Sequence, residues 1–215
     1  MSRSFQTSLF IFAMVMSAAT AARADDQADI KASAKSFAEA IKAGDAPTAR
    51  KYVVSSDEAN NFVDAMAGVT KAKQNLTDAA VAKFGEDGKK IAGASPVGGR
   101  SPDVAQNIDN SKVDVNGDTA TVTGEKGKAV QFKKEGGQWK IDLASVADFQ
   151  QTSKLLPMFG HVSTAMNETA REIKDGKYAT VQEAQQGLRQ KIVAGFGGQP
   201  GAGRPGKPGA PSSEK

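Results

Sequence analysis

Residues 113–143, VDVNGDTATVTGEKGKAVQFKKEGGQWKIDL, place apolar–polar alternation on both sides of two tight-turn signals. No other stretch limits the fold as strongly. Asn116-Gly117 tolerates the positive φ that a two-residue type I′ turn requires at both central positions. A turn centred there sets Val115 opposite Asp118 and Val113 opposite Ala120. Val113, Val115, Ala120 and Val122 then share one face, and Asp114, Thr119, Thr121 and Thr123 share the other, the period-2 signature of a half-buried antiparallel pair. A second turn at Gly136-Gly137 sets Phe132 opposite Ile141 and Val130 opposite Leu143, with Trp139, Ile141 and Leu143 on one face. A one-residue slip would turn the whole apolar set outward, so the register is strongly specified. Gly124 and Gly127 flank a looser link between the hairpins. An antiparallel sheet of two β-hairpins over about residues 111–143 has one apolar face, which needs a covering layer, so the expected fold class is α+β.

The cover is legible on both sides. Ile30, Ala34, Phe37 and Ile41 mark an amphipathic helix over residues 25–42, stopped by Gly44. Asp45 as N-cap and Pro47 in the first turn open a short helix that brings Tyr52 and Val53 to the core. A capping box, Ser55 with Glu58, starts the longest helix, which ends near Phe84 and carries Phe62, Met66, Val69, Ala72, Leu76, Ala80 and Phe84 as its stripe. Residues 85–102 are rich in Gly, Ser and Pro and read as a weakly structured link, with a further short strand at 104–108. After the sheet, residues 144–151 read as a turn or short helix. Pro157 then opens a helix with Phe159, Val162, Met166, Ala170 and Ile173 inward, stopped by Gly176. Thr180 and Glu183 form a second capping box for a last helix carrying Val181, Ala184, Leu188 and Ile192, with Arg189 and Lys191 complementing its C-terminal dipole.

Residues 1–24 are set aside from the fold as a secretory signal peptide. Arg3 gives a positive start, Leu9 to Ala19 an apolar core too short to span a bilayer, and Ala22-Arg23-Ala24 an A-x-A cleavage site. The expected location is therefore exported, periplasmic or secreted. The organisation that follows is a leader at 1–24 and a single domain at 25–194, helical over 25–86, a loop over 87–103, sheet over 104–143 and helical over 144–194. Residues 195–215 are more than half Gly and Pro, so they bury too little apolar surface to offset their ordering entropy and read as a disordered tail.

The sequence contains no cysteine, which excludes disulfides, thiolate metal sites and lipidation of a new N-terminal cysteine. An exported domain of about 190 residues must then rest on its hydrophobic core alone. The charges are 28 basic and 24 acidic; removing Arg3 and Arg23 with the leader leaves 26 against 24, a net of +2. With cations and acids interspersed, no nucleic-acid partner is expected. No later segment reads as a transmembrane span.

The chemistry-bearing residues are sparse. His161, the only histidine, could act as a general base oriented by Glu168, but that spacing on one helix is too long for direct contact and a surface histidine is the plainer reading. Gly98-Gly99-Arg100 could cradle an anion, yet no GK[ST] follows, and a linker explains it as well. Asp25, Asp26 and Asp29 resemble a cation cluster, against the simpler reading of acids in a helix's first turn. Asn75-Leu-Thr77 and Asn167-Glu-Thr169 match a glycosylation sequon inside helices. Arg204, Lys207 and Lys215 give the tail three dispersed cations. No cofactor motif, metal site or catalytic set emerges. The ligand-pocket candidates are Phe132, Trp139, Ile141, Phe62 and Met66, with core the plainer reading of Trp139 beside Ile141 and Leu143.

AIKAGDAPTARK at 40–51 resembles the opening helices of NTF2-like domains in exported bacterial proteins, as do GDTATV at 117–122 and VQFKKEGGQWKID at 130–142. The resemblance covers residues 25–143. It implies helices packed on a curved antiparallel sheet as a cone with an internal cavity. Two departures stand out: no strand shows between the second and third helices, and two extra helices follow the sheet. The Asp–His pair typical of the superfamily's enzymes has no counterpart, since the only histidine lies after the last strand. The expected function is a non-catalytic binding or interaction domain taking a small apolar ligand or an envelope protein. The alternatives are an enzyme using carboxylates in the cone pocket, or a structural envelope protein with a flexible tail.

Overall fold

Alternation in the sequence becomes a four-stranded antiparallel sheet in the order β1-β2-β3-β4, with β1 at Lys112–Asn116, β2 at Thr119–Thr123, β3 at Ala129–Glu135 and β4 at Gln138–Asp142. The structure, a computed structural model, describes residues 6–94, 108–124, 127–146 and 149–196, with side chains from Asp25 onward except at 92–94 and 152. The architecture is α+β: helices precede and follow the sheet, α1 at Gln6–Ala43, α2 at Ala46–Arg50, α3 at Asp57–Phe84, α4 at Phe149–Ser153, α5 at Leu156–Lys174 and α6 at Val181–Gly195.

The second hairpin has the expected register, Phe132 opposite Ile141, around Gly136 and Gly137, both at positive φ as a type I′ turn requires. Asp142 ends β4, and Leu143 passes into a short 3-10 turn before it can pair with Val130. The first hairpin differs from expectation by one turn residue. Its central pair is Gly117 and Asp118, so Val115 lies opposite Ala120 and Val113 opposite Val122. This choice adds a closing pair, Asn116 with Thr119, in which the Thr119 hydroxyl donates to the Asn116 carbonyl at 3.0 Å. The offset between the two registers is two residues, one full side-chain period, so the apolar face is unchanged.

That face carries Ala120, Val122, Val130, Phe132, Trp139 and Ile141, all buried. With Leu143 and Phe149 they form one core with Ile30, Ala34 and Ala40 of α1, Val53, and Ala59, Phe62 and Val63 from the start of α3. Val53, between α2 and α3, makes an isolated parallel bridge to Ile141, where the sequence showed no strand. Helix α2 runs from Asp45, whose carboxylate accepts from the Thr48 N–H, and stops at Arg50, short of Val53.

The helical half differs from expectation in four places. Helix α1 is continuous from Gln6 rather than beginning at Asp25, consistent with an Ala-rich run free of Gly and Pro. Helix α3 is capped by Ser56, not Ser55: the Ser56 hydroxyl accepts from the Ala59 N–H at 3.1 Å and puts Asp57 and Glu58 in the first turn. The residues expected to be a loose link begin as a packed 3-10 segment, Gly85–Ala94, because Ile91 within it is wholly buried. The anion-cradle candidate at 98–100 and residues 104–107 of the expected strand lie outside the described residues; Ile108 belongs to a 3-10 turn, Ile108–Asn110. Finally, α5 and α6 do not cover the sheet. Val162, Ala165, Met166, Ala170 and Ile173 of α5, with Ala184, Leu188 and Ile192 of α6, close a second core on Ala72, Leu76, Ala79 and Ala80 of α3 and on Ile91. The 28-residue α3 is therefore a spine shared by two cores, one at each end. Helix α6 closes on Gly195 and Phe196, the first two residues of the expected tail; residues 197–215 lie outside the described residues.

Candidate functional site

Sheet period places Lys134 on the apolar face, two residues beyond Phe132 and opposite Trp139. A cation there needs a partner, and Asp26 of α1 supplies it. The Asp26 carboxylate accepts from Lys134 Nζ at 2.7 Å and from the Trp139 indole N–H at 2.9 Å, and the ammonium sits 5.5 Å from the indole centroid. The hydrogen bond from Lys134 is the main reason the Asp26 carboxyl lies below the usual carboxylate range, and the same bond raises Lys134. Thus α1 is latched across one end of the sheet. Lys31 and Lys35 extend the latch to Asp109, donating to its carbonyl at 2.8 Å and pairing with its carboxylate at 2.7 Å. Asp26 is spent on Lys134 and Trp139 rather than on a bound cation. Among the described residues no group of His, Asp and Glu is placed to hold a metal ion.

Beside this latch lies a slot of about 330 Å³, walled by Asp29, Ala32, Ser33 and Ser36 of α1, by Tyr52, and by Gly137, Gln138 and Trp139 at the start of β4. The α1 residues fall on one face at helical spacing, and the β3–β4 turn folds toward them. Ser33 is 6% exposed, yet its hydroxyl has no hydrogen-bond partner among the described residues. Among the described residues no fully enclosed side-chain polar atom lacks a partner, so the Ser33 hydroxyl opens into the slot. Asp29, Ser36, Tyr52 and Gln138 likewise have no side-chain hydrogen bond or ion pair among the described residues.

A second depression, about 320 Å³, lies between α5 and α6, lined by Lys177, Tyr178, Glu183, Gln186, Gly187, Gln190 and Lys191. Its wall is a charge cluster. Glu172 accepts from Lys177 at 2.6 Å, Tyr178 at 2.5 Å and Lys191 at 3.0 Å. Burial pushes the Glu172 carboxyl up, but these three donors outweigh it and hold it at about 2. Burial and the Glu172 carboxylate together push the Tyr178 phenol up to about 12. The lowered carboxyl contributes stability that is present above its ordinary value of 4.5 and is lost as pH falls from there toward 2. The raised phenol contributes stability that is present below 10 and is lost as pH climbs toward 12. In thermal melts followed by ellipticity, Glu172→Gln is expected to flatten both limbs of the stability–pH curve. Tyr178→Phe removes the alkaline limb and leaves most of the acid one, which Lys177 and Lys191 still support.

The sequence-derived pocket residues fall as follows. Phe132, Trp139, Ile141 and Phe62 are buried in the sheet core, and Met66 is half-buried against it. Phe62 meets Phe149 of α4 edge-on, ring centroids 5.3 Å apart. Of the five, Trp139 alone borders either depression described above. His161 is exposed beside Gly195, and Glu168 pairs with Lys191 at 3.6 Å rather than with His161. Lys191 thus serves the α5–α6 interface, not the end of its own helix. The two sequon asparagines meet: Asn75 Nδ2 donates to Asn167 Oδ1 at 3.2 Å across α3 and α5, and both sequon threonines bond back to their own helices. The slot residues Ser33, Ser36, Tyr52 and Gln138 were not anticipated. The available signal was Lys134, a cation at an apolar strand position that required an acid from another element.

Comparison with protein-family models, with curated proteins and with solved structures found no match. No helix among the described residues is long and apolar enough to cross a membrane.

Proposed function

We propose that the chain is an exported, non-catalytic binding or interaction domain that works through the slot between α1 and β4. The observation that carries this reading is the contrast in hydrogen bonding. Enclosed polar atoms are paired throughout the described residues, whereas the slot gathers a carboxylate, three hydroxyls and an amide with no internal partner. Unspent donors and acceptors converging in one concavity are what a ligand or partner surface requires. The apolar side chains first considered as a pocket wall pack against one another, which moves the binding surface from the sheet's inner face to its rim. The carboxylate most strongly shifted, Glu172, is held as a fixed anion and suits structure better than proton transfer. The leader at residues 1–24 and the NTF2-like resemblance of residues 25–143 belong to the same reading, supported by α1, α2 and the start of α3 lying on the sheet's apolar face.

Two measurements test it. The intact mass of the protein recovered outside the cytoplasm should correspond to a chain starting at Asp25; recovery of only the full chain inside the cell would refute export. A photo-crosslinking amino acid at Ser36 should label an envelope component that the same group at the exposed Asp78 on α3 does not. Identical labelling from both positions would remove the slot from the function.

A further inference from the structure

Resting on the slot as the binding surface, we infer that it takes a small organic cation, an ammonium or guanidinium group on a short stem. The groups facing the slot are predominantly acceptors. Asp29 brings an exposed carboxylate with no ion pair among the described residues. The hydroxyls of Ser33, Ser36 and Tyr52 and the Gln138 amide add oxygens that can accept from N–H donors.

The sheet edge adds to them. Ile141 directs its main-chain groups outward: its N–H donates to the Tyr52 carbonyl at 2.8 Å, and its carbonyl accepts from the Val54 N–H at 2.9 Å. Strand residues two apart point their main-chain groups to the same side, so those of Trp139 face the same edge, where the slot lies. Lys134, opposite Trp139, sends its own N–H the other way, to the Asp118 carbonyl at 2.8 Å.

The neighbouring charges favour a cation. Lys134 is bonded to Asp26, with Asp29 a further acid in its electrostatic surroundings, and Lys35 pairs with Asp109, so Asp29 keeps no ion pair of its own among the described residues. A carboxylate with hydroxyls behind it recognises a cation through charge-assisted hydrogen bonds, whereas an anion would meet Asp29 unfavourably. The volume of about 330 Å³ lies at the small end of ligand pockets, which limits the guest to one compact head group.

The probes are n-butylammonium and the neutral alcohol 1-pentanol, one methylene longer, titrated into the mature chain. Backbone amide shifts of Ser33, Ser36 and Gln138 and the emission of Trp139, the only tryptophan, report occupancy. Butylammonium is expected to bind at least tenfold more tightly than pentanol, with affinity falling as salt rises. Asp29→Asn, at an exposed position, should cut that preference about tenfold while leaving the melting temperature unchanged. Ser36→Phe should fill the slot and abolish binding.

The capped tripeptide acetyl-Gly-Lys-Gly-amide identifies the source of the cation. Binding tenfold tighter than butylammonium assigns a partner's basic side chain, and equal binding assigns a free amine. Equal affinity for butylammonium and pentanol, or shifts spread over the surface of α3 rather than the slot, would overturn the inference. If the Ser36 crosslink succeeds while the cations fail, the cation assignment falls and the slot's role stands. If both fail, both fall.

Discussion

Phe132→Ala is expected to lower the free energy of unfolding by about 3–5 kcal/mol, and Leu76→Ala by about 2–5 kcal/mol. Each side chain is fully buried, so truncation removes its transfer energy and leaves a cavity whose walls relax only in part. The more telling quantity is their sum. Phe132 belongs to the core shared by the sheet, α1 and the start of α3, and Leu76 to the core shared by α3, α5 and α6. Residues with no common neighbours lose stability independently, so the double variant should match the sum of the singles within about 0.5 kcal/mol. Urea unfolding monitored by Trp139 emission and by far-UV ellipticity measures all three variants, with Trp139 reporting on the first core. A coupling energy above about 1 kcal/mol would mean that the two clusters behave as one.

Two glycines should respond with opposite signs. A Cβ at Gly88 would lie 2.3 Å from both the carbonyl carbon and the carbonyl oxygen of Ala80. Those atoms belong to the backbone of α3 and cannot swing away. Gly88→Ala therefore has to push the 3-10 segment off the helix, and with it Ile91, at an expected cost of about 1–3 kcal/mol. Gly68, in the middle of α3, has nothing within 4 Å of the same position. There an alanine reduces the freedom of the unfolded chain and adds no clash, so Gly68→Ala should stabilise by about 0.5–1 kcal/mol. Thermal melts of the two single variants decide both. A stable Gly88→Ala protein would show that the 3-10 segment does not pack on α3 as described.

The faces of the sheet were legible in the sequence because alternation survives an error in the turn. The pairing moved from Val113–Ala120 to Val113–Val122, a shift of two, and every side chain kept its side. Helices with a 3.6 period and clear stops were equally legible: α5 carries Pro157 in its first turn and buries the expected stripe, and α6 is capped by Thr180, whose hydroxyl accepts from the Glu183 N–H. What could not be read was which apolar face meets which. The stripe of α3 is continuous along its length, and nothing in its spacing tells that Phe62 faces the sheet while Leu76 faces α5. The polar composition of residues 85–94 concealed the buried side chain of Ile91, which fixes the segment. The slot was hidden for a related reason. Its walls come from positions more than a hundred residues apart, Asp29 to Ser36 on one side and Gly137 to Trp139 on the other, and serines on a helix face carry no sequence signal until a strand edge lies beside them.

The strand order has a kinetic consequence. Each strand pairs with its neighbour in sequence, so the sheet closes through short loops that cost little chain entropy. The Asp26 latch spans 108 residues to Lys134, and the Tyr52–Ile141 hydrogen bond also joins distant parts of the chain. Local pairing outruns such long closures. The hairpins should therefore assemble with their apolar face still open, and the docking of α1 onto Trp139 is the late step that both seals the core and completes the slot.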